Sequence, residues 1–479
     1  MTDGIIFDYL KERHGIEAPR PYYAVIEEWD AWRRGFWRPF HEFTESSAGG
    51  RPIKRELYRL NMAKKICEDW ASLLLGERTV INAADNGTSE WLFGTDGCAG
   101  VVGDCGLLRQ LGRVCERVFA LGTGAAILRL DGVELEDGRL RPTPAAKMHV
   151  DFVDAAHIVP ISTDCHGVYE AAFISESRHR GRELCYIELH RLAEDGYVIT
   201  NEWLELRDGK LCECEPDRPI AREIRTGSRT PLFALLTPNI ENHIDERCGL
   251  GVSVYSQAID CLKGVDLAFN NFCRDLKLGG KKVFMNRSLV MRDENGTMYT
   301  PDDVAQQLFV TIGDGELSSD TMICEHNPEL RTEENADAVQ HQLDYLSFRC
   351  GLGTRHYLFS GVQGKAQLTA TQYTGERQDL IQNTAKHRIN VEDFLRRILR
   401  AMLWAGRDVL MLRVDPETEL TVRFDDSYFI DSESERTRDR AEVEAGLMRP
   451  FEYRMKWRGE SRETAISMTA ASDGGGGVH

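Results

Sequence analysis

Few residues in this sequence have the types and spacing that catalysis requires. Two glycine-rich stretches, GTGAA at 122–126 and GLGT at 351–354, lack the Lys-Ser/Thr ending of a phosphate-binding loop. No HExxH or GxSxG motif occurs, which excludes the usual zinc-protease helix and serine nucleophile turn. Asp425 and Asp426 are adjacent, and neighbouring strand residues point to opposite faces, which is wrong for a shared acid–base site. The sequence therefore predicts a protein that is not an enzyme.

The cysteines and histidines do not form a metal-binding pattern. The 13 cysteines contain no CxxC pair, and Cys212 and Cys214 are the closest two. Structural zinc sites usually combine two ligand pairs, and no second pair or histidine doublet accompanies these. We expect reduced, mostly buried thiols, no metal and no cofactor. His387 lies within an apolar helical face and is expected to be structural.

Length, composition and charge narrow the class of protein. The 479 residues suggest about two to four domains, and a hydrophobic content of 42% is enough for a core. No run of about 18 uncharged apolar residues predicts a membrane span, and the acidic start without an apolar signal region predicts a cytoplasmic protein. The net charge of −18 disfavours tight DNA binding, because Lys and Arg supply affinity for phosphate. This negative charge is compatible with a protein surface along which DNA slides without being held tightly.

Hydrophobic periodicity predicts an α+β fold. Amphipathic helices are predicted over residues 55–75, about 104–121, 252–277, 333–350 and about 373–411. Residues 145–235 instead contain short β-rich segments between Gly, Asp or Asn turns, which is typical of an antiparallel meander. A small α/β insert is predicted from 278 to about 330, a strand at 421–431 and a charged helical tail over 433–470.

Three of these helices carry specific expectations. In 252–277, apolar residues follow steps of three and four, which gives a narrow seam for a second helix; they include Tyr255, Leu262, Val265, Phe269 and Phe272. Thr332 is predicted to be the N-cap of the helix over 333–350. The last helix would be about 58 Å long if straight, with a buried face of Leu380, Thr384, His387, Val391, Phe394, Ile398 and Met402.

The order of these elements resembles the portal proteins of tailed double-stranded DNA bacteriophages, specifically long-tailed phages of Gram-positive hosts. EEWDAWRRGFWRPFHEF is similar to the family's N-terminal Trp–Gly–Phe-His signature, although relatives often carry Tyr-Lys where RRGFWRP stands. YRLNMAKKICEDWASLLLGERTVI looks like its first wing helix and GVSVYSQAIDCLKGVDLAFNNF like its first stem helix. VRFDDSYFIDSESERTRDRAEVEAGLMRP resembles the closing strand and crown entry. The similarity covers about residues 25–465.

The resemblance implies a portal fold: an α/β wing, a two-helix stem, a small α/β clip, a long helix across the wing and a helical crown. The implied segments are the wing at 1–250 and 372–430, stem helices at 251–277 and 333–352, the clip at 278–332, a tunnel loop at 353–371, and the crown with a flexible tail at 431–479. Such a chain would form a ring, usually a dodecamer, at one capsid vertex in the virion, after assembly in the host cytoplasm.

The resemblance also implies partners and sites. The channel would pass double-stranded DNA with nonspecific contacts, and Arg355, His356 and Lys365 are the basic candidates in the tunnel loop, with Tyr357, Leu358 and Phe359 as an apolar patch. Lys277, Lys281 and Lys282 at the stem–clip junction would line the channel or bind an acidic partner. Protein partners would be the terminase large subunit, the head–tail connector, and the major capsid and scaffold proteins. The alternative is another ring-forming virion component, such as a connector or baseplate protein.

Overall fold

The computed structural model describes most of the chain, and its fold is α+β. The described residues are 3–46, 52–76, 79–95, 98–136, 139–215, 221–280, 282–286, 309–312, 323–327, 329–359, 378–424, 432–458 and 465–469. Their helices are α1 Asp3–His14, α2 Arg20–Arg33, α3 Arg38–His41, α4 Met62–Leu74, α5 Asn86–Phe93, α6 Val101–Asp104, α7 Leu107–Leu121, α8 Ile259–Leu278, α9 Thr332–Arg349, α10 Gln378–Trp404, α11 Ser432–Glu444 and α12 Pro450–Arg458. Their strands are β1 Glu42–Ser46, β2 Pro52–Glu56, β3 Val80–Ala83, β4 Gly94–Thr95, β5 Cys98–Ala99, β6 Gly124–Glu136, β7 Arg139–Asp154, β8 Ile158–Asp164, β9 Gly167–His179, β10 Arg182–Ala193, β11 Gly196–Arg207, β12 Lys210–Glu213, β13 Glu223–Arg225, β14 Phe233–Leu236, β15 Lys282–Asn286, β16 Phe309–Ile312, β17 Ile323–His326 and β18 Leu420–Arg423.

The predicted antiparallel meander is confirmed. Strands β8 to β12 pair in sequence order, and β13 adds to β11. Tight turns at sequences such as Asp195–Gly196 connect the strands, and alternating side chains send apolar residues to a buried face. Helix α1 covers one side of the sheet through Ile6, Phe7 and Leu10. This helix was not predicted from the sequence, because its apolar pattern is weak.

A second sheet is built from β14, β6 and β7, in that order. The β6–β7 hairpin is long, and its ladder shifts register between Asp131 and Val133. Gly132 occupies the shift with a φ of +66°, and a Cβ there would lie 2.5 Å from the carbonyl oxygen of Ala145. Glycine is therefore required at this bulge, because any side chain would be both strained and blocked.

The helical core is centred on α4, α7 and α10. Trp70 of α4 is fully buried, and its indole N–H donates to the carbonyl of Cys350 at 3.2 Å. The His387 ring of α10 packs edge-on against Trp70 and Phe119, with ring centroids 4.7 and 5.0 Å away. The structural role predicted for His387 is confirmed, and all seven residues predicted for the buried face of α10 are buried.

Three predicted helix starts were wrong. Helix α4 begins at Met62 rather than at residue 55, because 52–56 pair with β1 and the N–H groups of Leu57, Tyr58 and Leu60 bond to distant groups. Helix α8 begins at Ile259, because 253–258 form turns. Thr332 is the first residue of α9 rather than its cap, and Arg331 at the cap position makes no side-chain capping bond.

The end of the long helix also differs from the prediction. The α-helical hydrogen bonding of α10 ends at Trp404, and a π-helical turn follows over Ala405–Val409. The amide of Leu410 bonds to the carbonyl of Ala405 at 2.9 Å. Gly406 lies against Trp91, so that a Cβ would meet the indole at 2.7 Å. Residues 373–377, which were predicted to start this helix, lie outside the described residues.

The remaining segments follow the predicted order. Between α8 and α9, the described part of the insert is a three-stranded sheet in which β15 pairs parallel with β16 and antiparallel with β17. Strand β18 pairs with β3, which returns the chain to its N-terminal half. The charged tail forms α11 and α12 around the predicted turn. Asp425 and Asp426 lie outside the described residues.

Candidate functional site

The pair α8 and α9 is the first candidate site, because it flanks the insert as predicted. The two helices run antiparallel. Asp275 near the end of α8 accepts from Arg331 at 3.0 Å and from Asn335 at 2.9 Å, while Arg349 at the end of α9 donates to the carbonyl of Gln257 at 3.1 Å. Between these ties, Gly264 allows close approach, since a Cβ there would lie 2.4 Å from the Gln342 side-chain oxygen.

The apolar seam of α8 becomes less buried towards the C-terminal end of the helix. Leu262 is 2% exposed and Val265 is fully buried, whereas Phe269 and Phe272 are only half-buried. Leu276, one turn further, is 46% exposed. Tyr255, predicted as part of this seam, precedes the helix; it is fully buried, and its hydroxyl donates to the carbonyl of Trp29 at 2.8 Å. The seam is thus buried in the N-terminal half of α8 and incompletely buried near its C-terminal end.

Helix α9 and the segment after it expose large apolar side chains. Tyr345 and Phe348 lie on the solvent side of α9 with 61% and 57% exposure. Leu358 and Phe359 follow with 56% and 69% exposure. Gln340 holds this segment beside α9, because its amide donates to the carbonyl of Tyr357 at 2.7 Å. Clustered exposed aromatic residues are typical of protein–protein contact surfaces.

Buried hydrogen bonds to the Asp266 side chain fix the N-terminal half of α8 against the core. Asp266 is 4% exposed, and its carboxylate accepts from the imidazole Nε2 of His41 at 3.0 Å and from the amide of Leu60 at 2.8 Å. Nδ1 of His41 lies 2.8 Å from the amide nitrogen of Trp37 and 3.0 Å from its carbonyl oxygen. Asn270, one turn on, accepts from the amide of Tyr58 at 3.2 Å. These hydrogen bonds were not predicted, because no local pattern in the sequence relates the residues that form them.

The segment that follows α9 contains two of the three predicted tunnel-loop residues. Arg355 is exposed with a φ of +63°. His356 lies 3.5 Å from the carboxylate of Asp69 on α4, and the Tyr357 hydroxyl donates to the same carboxylate at 2.8 Å. Tyr357 is therefore buried, whereas Leu358 and Phe359, which were predicted to form an apolar patch with it, are exposed. Lys365 lies outside the described residues.

Hydrogen bonds set the charge state of Asp69. Burial acts to raise the pKa of this carboxyl, but the hydrogen bonds from His356, Lys65 and Tyr357 outweigh it and lower the pKa below its ordinary value. Burial, together with the charge of Asp69, raises the pKa of the Tyr357 hydroxyl. The base of this segment is consequently anchored to α4 by an ionised acceptor. These hydrogen bonds are suited to holding the backbone of the segment against α4.

The basic residues predicted at the junction with the insert are only partly described. Lys277 is exposed in the last turn of α8. Lys282 is the first residue of β15, and Lys281 lies outside the described residues. Their proposed contacts with DNA or an acidic partner stay predictions.

A second candidate site lies on the meander. Glu188 is 1% exposed, and its carboxylate accepts from His190 at 2.6 Å and from the Arg129 guanidinium of the neighbouring sheet. Burial acts to raise the pKa of Glu188, but the charges and hydrogen bonds of His190 and Arg129 lower it to about 2. Tyr186 donates to Asn201 at 2.8 Å beside them. The carboxylate is ionised and already satisfied by donors, which suits a structural tie between two sheets.

The sequence contained a signal for this cluster. Glu188 and His190 are two residues apart on a predicted strand, so they share a face. A carboxylate on the inner face of a meander indicates a buried partner of opposite charge. Arg129, 59 positions away, supplies it, and no local pattern pointed to that residue.

Searches for metal sites, membrane helices and relatives add no further constraint. In the part of the chain that the structure describes, no group of three His, Cys, Asp or Glu side chains is arranged to hold a metal ion. No described helix is long and apolar enough to cross a membrane. A scan against models of known protein families finds no match to this chain, and a search of curated proteins finds no similar sequence.

Proposed function

We propose that this chain is the subunit of a bacteriophage portal, the ring at one capsid vertex through which the double-stranded DNA genome is packaged and ejected. The observation that carries the proposal is the pair α8 and α9, whose seam is incompletely buried at the end that bears the insert. A helix pair of this kind completes its packing against the same pair in a neighbouring copy. Head-to-tail contacts between copies close into a ring when the rotation per subunit divides a full turn.

Charge supports a channel in which DNA moves. The net charge of −18 repels phosphate, and scattered basic residues give weak, sequence-independent attraction. Arg355, His356 and Lys365 are the proposed DNA-proximal residues, and Lys365→Glu should change packaging in a salt-dependent way. In this proposal, the insert faces the terminase large subunit during packaging and the head–tail connector afterwards. The segment 431–479 is proposed as the crown.

Assembly of the full-length protein tests the proposal. Negative-stain images and mass photometry should show rings with a central hole. Tyr345→Asp combined with Phe348→Asp should leave the subunit folded, because both side chains are exposed, but should shift the population towards monomers. Leu192→Asp is the matched control, since Leu192 is 41% exposed at the end of β10. Wild-type protein that stays monomeric at micromolar concentration would contradict the proposal.

A second experiment separates a portal from another ring-forming virion component. Deleting residues 291–297 should spare ring formation and abolish binding to the cognate terminase large subunit in a pull-down. A connector or baseplate protein would form rings without any terminase binding by the intact chain.

A further inference from the structure

The chain passes from the first sheet to the meander after β7 and returns to the first sheet between β13 and β14, and a gap lies between the two sheets. Strand β7 pairs with β6 in the first sheet and ends at Asp154. A 3-10 turn at Ala155–His157 leads into β8, which pairs with β9 in the meander. Away from this turn the two sheets also meet through the Arg129–Glu188 ion pair and the Phe173–Phe233 ring contact, and the gap lies beside these contacts.

Two strand edges face this gap without a partner strand. Among the described residues, β7 pairs only with β6, so its other edge makes no ladder. Strand β8 reaches only Phe173 of β9, because the pairing begins with Ile158 opposite Phe173. Residues 174–179 of β9 therefore pair with β10 on one side alone. Unpaired strand edges carry backbone N–H and C=O groups that another strand can use.

A cavity of about 850 Å³ occupies the gap, within the range of about 300–1,000 Å³ common for ligand sites. Consecutive residues of both edges line it, 151–154 of β7 and 173–176 of β9. Apolar side chains such as Leu128 and Ile199 line it as well. So does Trp203, whose ring packs against Tyr186 at 4.6 Å and whose indole N–H is buried without an acceptor among the described residues.

The polar lining of this cavity is mainly acidic. Five carboxylates line it, at Asp131, Asp151, Asp154, Glu176 and Glu188, against one guanidinium, that of Arg129. Arg129 is already engaged by Asp151 and Glu188. Asp131 is 71% exposed and contacts only the His149 imidazole among the described ion pairs, so its charge is available to a ligand, as is that of exposed Glu176.

We infer that this gap, which we call the sheet slot, binds an extended Lys/Arg-bearing segment of a partner polypeptide as an added β-strand. The unpaired edges would supply main-chain hydrogen bonds, which give affinity in strand addition. Side chains of an added strand alternate between two directions. One set would contact the apolar lining, and the other would place its cations beside Asp131, Asp151 and Glu176. The inference does not depend on the ring proposal.

Peptide binding to the full-length protein tests the slot. The probe is a fluorescein-labelled peptide of four Lys-Val repeats, measured by fluorescence anisotropy at low and moderate salt. The Lys-Val peptide should bind, and a Glu-Val peptide of the same length should not. Asp131→Asn combined with Glu176→Gln should weaken binding at least fivefold. The matched control is Asp260→Asn with Glu417→Gln, two exposed acids elsewhere, which should bind as the wild type does.

Backbone methylation separates strand addition from charge attraction. Two further Lys-Val peptides carry N-methyl groups on every lysine or on every valine, which removes the N–H groups from one edge of the strand or the other. At least one should lose binding although its charge is unchanged. Equal binding by all three peptides, or equal loss in both double variants, would overturn the inference. Binding to the monomeric Tyr345→Asp/Phe348→Asp variant but not to assembled protein would show that a second copy fills the slot, which also overturns it.

Discussion

The imidazole of His41 meets the carboxylate of Asp266 at 3.0 Å, although 225 positions separate them in the chain. Both side chains are buried, and the same carboxylate also accepts from the amide of Leu60. One acidic residue on α8 therefore joins the end of α3, the start of α4 and the base of the proposed stem. The orientation of α8 is set inside the N-terminal core rather than by its helical neighbour alone.

Asp266→Asn should destabilise the protein by about 2 kcal/mol. An amide has one oxygen, so it can accept from Leu60 or from His41 but must turn an N–H group towards the other donor. The free energy of unfolding in urea, measured at fixed protein concentration, gives the effect. Asp260→Asn is the control on the same helix, because Asp260 is 95% exposed and should change stability by less than about 0.5 kcal/mol. Equal unfolding midpoints for the two variants would contradict the role of Asp266.

Tyr357→Phe should loosen the segment after α9. The change removes the hydroxyl that donates to Asp69 at 2.8 Å, a bond to a charged acceptor that contributes about 1.5–3 kcal/mol. Arg355 is exposed two residues earlier, so trypsin cleavage after Arg355 should become faster under native conditions. Tyr345→Phe removes a hydroxyl from an exposed ring and should leave the cleavage rate unchanged. An unchanged rate for Tyr357→Phe would mean that Asp69 does not anchor the segment.

His387 should make the protein less stable in mild acid. Burial, and to a smaller extent the charge of Lys386, lower the pKa of His387 from 6.5 to about 3. The unfolded chain therefore takes up this proton at a higher pH than the folded chain does. The stabilising contribution is complete above pH 6.5 and is lost as the pH falls from 6.5 towards 3, by at most about 1.4 kcal/mol per pH unit.

Unfolding free energies between pH 7 and pH 5 test this contribution. His387→Gln should show a smaller decrease with falling pH than the wild type, because glutamine does not titrate. His243→Gln, at an exposed histidine, should keep the wild-type slope. Parallel profiles for the wild type and His387→Gln would show that this ring does not control the pH dependence.

Glu188→Gln should be more damaging than most surface changes. It leaves the fully buried His190 without its carboxylate and Arg129 with Asp151 alone, and breaking a buried ion pair costs about 3–5 kcal/mol. Thermal unfolding should show a large fall in midpoint, whereas Glu176→Gln, at an exposed carboxylate on the neighbouring strand β9, should show little change. Similar midpoints for the two variants would mean that the network contributes no net stability.

The sequence by itself determined the elements in which apolar residues recur at the spacing of a helix or a strand. The meander follows from β-rich segments between turn residues, and the seven residues of the α10 face recur at helical spacing over five turns and more. The seam of α8 likewise predicted that a second helix packs against it, and the resemblance to portal proteins identified that helix as α9. In each case the signal is local, because burial of one face repeats at every turn or every second residue.

Only the tertiary structure decided where those elements stop and what ties them together. Leu57 and Leu60 continue the spacing of α4, yet their N–H groups bond to His41 and Asp266, so the helix starts later. Tyr357 looks like an exposed loop residue until Asp69 of α4 accepts its hydroxyl. Arg129 meets Glu188 only after two sheets have formed. Such partners are chosen by packing among distant segments, and a buried polar group takes whichever partner that packing brings within hydrogen-bond distance.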